Sequence, residues 1–74
     1  MKLSEMKKGQ TGIIQYVQGS PKAIQKLQEL GVVQGTSIQV LHFAVLGGPL
    51  GIKLKNYQLA LRRKTASLIE VEVE

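Results

Sequence analysis

The chain has 74 residues, with ten Lys or Arg against five Glu, one His, no Cys and a formal net charge of +5 at pH 7. A domain of this size holds a single core worth about 3–5 kcal/mol of net stability, which excludes a second domain and a deep catalytic cleft. Without Cys there is neither disulfide stapling nor a thiolate metal site.

No apolar stretch reaches the ~20 residues of a spanning helix, and the first residues lack the apolar region of a signal peptide. The expectation is one soluble, cytoplasmic domain over residues 1–74 with no direct membrane insertion, held by packing alone or by a partner. Its pI near 9.8 invites a nucleic-acid or membrane-surface reading. Most cations are scattered, however, at Lys2, Lys7, Lys8, Lys22, Lys26, Lys53 and Lys55, and only Arg62-Arg63-Lys64 forms a cluster.

Taken in order, Gly12 to Val17 is β-branched and apolar enough for a first strand. Gly19-Ser20-Pro21 then breaks it, with Ser20 placed as N-cap and proline at the first helical position. Ala23, Ile24, Leu27 and Leu30 recur at helical spacing opposite Lys22, Gln25, Lys26, Gln28 and Glu29, and Gly31 falls just past the C-cap. This predicts one amphipathic helix lying on a core.

From Thr36 to Phe43 the pattern alternates, but neither face is fully polar. Residues 46–50, Leu-Gly-Gly-Pro-Leu, interrupt any regular element: the glycines allow unusual φ, and proline fixes its own φ and removes a donor. Gly51 to Lys55 and Gln58 to Arg63 read as a hairpin turning at Lys55-Asn56 or Asn56-Tyr57. Lys64 to Ser67 reads as one helical turn. A last strand sets Ile69, Val71 and Val73 against Glu70, Glu72 and Glu74. Five short strands and one helix after the first make a mostly β, small, closed or nearly closed barrel.

The segment around Leu27 to Gly35, the Leu46–Leu50 turn and Ala60-Leu61-Arg62-Arg63, together with Leu3-Ser4-Glu5-Met6 and Gly9 at the start and Ile69 to Glu72 at the end, resemble the FeoA family of bacterial ferrous iron transport accessory proteins. Two positions depart from it: Gln34 stands where proline is common before the glycine, and Asn56 where glycine is common in the second turn. Asparagine tolerates the left-handed region, so that turn stays feasible. The resemblance implies an SH3-like barrel.

Catalytic chemistry is absent from the pattern. Hydrolytic triads need an orienting carboxylate and a base, but His42 is the one histidine and there is no aspartate. Glu70, Glu72 and Glu74 read as a solvated strand face. His42 reads as a barrel-wall residue with a satisfied hydrogen bond, and it has no ligand cluster around it for iron. No phosphate-binding loop is present, because Gly47-Gly48 leads into proline and not into a helix. The chain is read as not an enzyme, with no catalytic, cofactor-binding or metal residue assigned and no cofactor.

What remains is a surface for a protein partner. Leu46, Pro49 and Leu50 are read as exposed or half-exposed beside Tyr57, serving as a recognition loop or as a plug at one end of the barrel. Arg62 and Arg63 are read as part of a docking surface. The resemblance implies docking on the membrane transporter FeoB, which carries a GTP-binding domain, and modulation of its assembly or GTPase cycle. The chain would then be peripheral to the inner membrane through that partner. A nucleic-acid-binding barrel is the alternative; with two Tyr, one Phe and no Trp there is little to stack on bases, so nucleic acid is not the expected partner. Open strand edges leave room for self-association.

Overall fold

The computed structural model describes residues 1–43 and 48–74. The chain enters through a 3-10 turn, Leu3–Glu5, in which the Glu5 carboxylate accepts from the Lys2 N–H at 3.2 Å. This turn delivers Leu3, and Met6 after it, into the core, where both are fully enclosed.

Strand β1, Thr11–Val17, is followed by helix α1, Pro21–Glu29. Ser20 Oγ accepts from the Ala23 N–H at 3.1 Å, satisfying one of the donors that a helix start leaves open. At the other end Gly31 takes φ 89°, its N–H reaches Gln28 O at 3.0 Å, and Val32 N–H reaches Leu27 O at 2.9 Å. This pair of bonds is a Schellman cap, completed by burial of Val32 beside Leu27. Ser20→Ala is therefore expected to cost about 1 kcal/mol, a fall in Tm of roughly 4–8 °C for a domain of this size. Thermal circular dichroism reads it, and an unmoved Tm would mean the cap adds nothing.

Strands β2, Ser37–Phe43, β3, Leu50–Lys53, β4, Gln58–Leu61, and β5, Ile69–Val73, complete the fold, with a short helix α2, Arg63–Ala66, before the last. All pairings are antiparallel, in the order β4-β3-β2-β1-β5. Register shifts between Ile14 and Tyr16 and between Val40 and His42 mark irregularities of the bulge type that bend a sheet. The core formed beneath it includes Ile14, Ile38, Val40, Ile52, Ile69 and Val71.

The five strands and the amphipathic helix stand as expected from the sequence, with small changes of boundary. The hairpin's second strand stops at Leu61, because Arg62 becomes the N-cap of α2 and Arg63 its first residue. The third strand ends at Lys53, although Leu54 beyond it is still buried.

Three expectations are corrected. Leu50 is 0% exposed and belongs to the core, so it presents nothing to a partner. The reason is its place in the sheet: it is paired with Phe43 on one side and Leu61 on the other. Pro49 also does not sit beside Tyr57. Pro49 precedes the Leu50–Leu61 pair, whereas Tyr57 adjoins Leu54 at the hairpin turn, so the length of the β3–β4 ladder separates them. Finally, His42 is exposed and its ring lies over Gly51, with no hydrogen bond to it among the described residues. Gly51 has no side chain, and this leaves the space that the imidazole fills.

Candidate docking surface

The site begins with the parity of a hydrogen-bond ladder. Leu54 N–H donates to Tyr57 O at 2.9 Å at the hairpin turn, and the register runs through Lys53–Gln58, Ile52–Leu59, Gly51–Ala60 and Leu50–Leu61. In an antiparallel pair the bonded positions alternate. Leu59 and Leu61 therefore spend their backbone groups on β3, while those of Gln58 and Ala60 point away from it. No described residue is hydrogen-bonded to these outward groups.

Along this edge runs an open groove of about 440 Å³. Ala23, Lys26 and Leu27 of α1 with Leu30, its C-cap, form one wall, and Ala60, Leu61 and Arg62 form the other. Thr65 and Leu68 complete it. The lining is mostly apolar, and its two charged residues, Lys26 and Arg62, are both cations.

The sequence-selected residues divide around this feature. Arg62 is exposed and lines the groove. Pro49 is exposed and directly precedes Leu50, at the end of the hairpin where Leu61 leads into Arg62. Tyr57 is 43% exposed at the far end, with its hydroxyl close to Gly31 at the C-terminus of α1. Arg63 is half-buried with its Nε enclosed, so it is held by the domain more than it is offered to a partner. Leu46 lies outside the described residues.

The sequence reading missed Lys26, Leu30, Ala60 and Leu68 as members of a shared surface. Lys26 was visible as a polar-face residue. Nothing local, however, connects that helix to a strand some thirty positions later in the chain.

The acidic row on β5 is engaged locally, with Glu72 accepting from Gln15 Nε2 at 3.2 Å. Among the described residues no three His, Cys, Asp or Glu side chains group in a way that could hold a metal ion. No helix among them is long and apolar enough to cross a membrane.

A bent sheet of five antiparallel strands with a helix after the first defines a small SH3-like domain. The family model described as the FeoA domain matches residues 1–73, and the chain belongs to the FeoA family, which is associated with ferrous iron transport. It is 36% identical over 73 residues to a Fe(2+) transport protein A/Fe(2+) transporter FeoB fusion protein of Porphyromonas gingivalis, covering 99% of this chain and 9% of the fusion. The chain thus spans less than a tenth of that relative's length. A crystal structure of an iron uptake regulatory protein, FeoA, superposes with a TM-score of 0.93 at 32% identity, covering 100% of this chain and 97% of that one. FeoA of Stenotrophomonas maltophilia complexed with zinc, described as a prokaryotic SH3 domain protein, matches with a TM-score of 0.84 at 26% identity, over 97% of this chain and 89% of that one.

Proposed function

We propose that this chain is a non-enzymatic accessory protein of ferrous iron uptake that docks on the cytoplasmic side of a FeoB-type membrane transporter and modulates its assembly or GTPase cycle. The observation that carries this reading is the Porphyromonas gingivalis relative, in which a FeoA part and FeoB share one polypeptide. Joining two domains in one chain raises their effective concentration for each other, which is useful when they work in contact. Support from the molecule itself is the lined groove with Arg62 at its rim and Pro49 and Tyr57 exposed at the two ends of the same hairpin. The transporter would carry the GTP-binding domain and handle the iron, and this chain would sit at the membrane through it.

The test is capture of the tagged chain's partners from detergent-solubilised membranes of iron-starved cells at about 150 mM salt, where weak surface attraction is screened. Recovery of the FeoB-type transporter is the expected result. Recovery of nucleic acid in its place, released steeply by added salt, would overturn the reading in favour of a nucleic-acid-binding barrel. Charge reversal Arg62→Glu is expected to lower capture several-fold and to lower it more at reduced salt, as a rim charge does. Capture unaffected by this change at any salt would remove Arg62 from the interface.

A further inference from the structure

Among the described residues the sheet has two edges, β4 and β5, and one of them is covered. Beyond β5, Lys2 forms a bridge with Glu70, and Val71 N–H donates to Met1 O at 2.8 Å. The β4 edge has no such cover among the described residues. Its sequence, Gln58-Leu59-Ala60-Leu61, contains no charge or proline, and its register with β3 has no bulge. These are the devices by which edges are kept from pairing, and β4 relies only on being short.

Beside that edge lies not solvent alone but the groove, with the apolar wall of α1 across from it and only cationic charge in its lining. Backbone groups on one side, apolar side chains on the other and a volume within the range of ligand clefts are what an added strand requires.

We infer that β4 receives an extended segment of a partner protein as a further strand, and that this segment alternates apolar with acidic residues. Its backbone bonds to the N–H and C=O of Gln58 and Ala60. Its apolar side chains lie on Leu30 and Leu68, which are half-buried at the groove, and its carboxylates meet Lys26 and Arg62. The inference deepens the docking proposed above by naming the chemistry of the segment received, while its test needs no transporter.

The experiment is amide NMR of the intact chain titrated with an end-blocked peptide of alternating valine and glutamate. Shift changes should map to β4 and to the Lys26–Leu30 wall. Hydrogen exchange at Gln58 and Ala60 should slow by about tenfold or more, whereas Leu59 and Leu61, already bonded to β3, change little. Ala60→Pro deletes the outward N–H without touching the β3 ladder and should abolish the effect. The same peptide N-methylated on alternate amides should fail on the unmodified protein, which keeps the test independent of that variant's folding.

Unslowed exchange at Gln58 and Ala60, or equal binding by a valine–lysine peptide or by the N-methylated one, would overturn the inference. So would protection that develops without peptide as protein concentration rises, with a heavier species in sedimentation, because the occupant would then be a second copy. Transporter capture with no peptide protection removes strand addition and leaves docking standing. Peptide protection without transporter capture does the reverse.

Discussion

Leu50→Asp is expected to abolish folding instead of sparing the fold and blocking a partner. Leu50 is completely buried, and in the ladder it is paired with Phe43 on one side and Leu61 on the other. An unpaired carboxylate there costs several kcal/mol even after relaxation, which equals or exceeds the roughly 3–5 kcal/mol that a core of this size supplies. Far-UV circular dichroism should lose its β signal and melting should lose cooperativity. The milder Leu50→Ala should still cost about 2–5 kcal/mol. Its neighbour Pro49 is exposed, and Pro49→Ala should stay within about 0.5 kcal/mol of the parent. A folded, cooperatively melting Leu50→Asp would show that the side chain can turn outward and would return Leu50 to the docking residues.

Gly12→Ala is the second large effect, and it acts by adding atoms. A Cβ at Gly12 would lie 2.5 Å from Val71 Cγ1 and 2.6 Å from the Glu72 carbonyl oxygen. Val71 is buried, and the carbonyl belongs to β5 backbone in the ladder with β1, so neither can yield without disturbing the pairing. Overpacking of this kind costs about 1–3 kcal/mol, a large share of the whole stability. The denaturation midpoint should fall accordingly.

Gly51→Ala is the useful comparison. There the three atoms nearest the added carbon all belong to the ring of the exposed His42, which can swing away, so a smaller loss is expected. Equal stability of Gly12→Ala and the parent would mean that β1 and β5 can separate at this point at no cost.

The elements that were legible in the sequence are those set by local chemistry. Ser20-Pro21 and Gly31 delimit α1 because a cap acts over three or four residues, and the Ile69-Glu70-Val71-Glu72 alternation needs only the pleat of one strand. Leu3, Met6 and Val32 were not legible as core, since no period marks a three-residue turn or a single residue after a helix. Their burial is decided by space that the curved sheet leaves open.

The site divides in the same way. Arg62 stood out as part of a cationic cluster, but whether it ended a strand or capped a helix depended on where β4 stopped pairing. Leu50 looked like part of an apolar loop until its partners on both sides were known. The groove was the least legible of all, because it is lined from both α1 and β4, far apart in the chain, along an edge that no other described strand pairs with.

The order of the sheet also bears on how the chain can be made. β1 is central, yet one of its two neighbours is β5, with Gly12 paired to Val73 almost a full chain length away. Such distant pairing slows folding, since the loop must close before its contacts contribute. During synthesis β1 emerges early and waits for nearly everything else, with Ile14 and the Leu3–Met6 segment lacking the strand that encloses them. The domain is thus assembled last where it began first, and a nascent chain stopped short of Ile69 would present an apolar strand edge to chaperones and to its neighbours on the polysome.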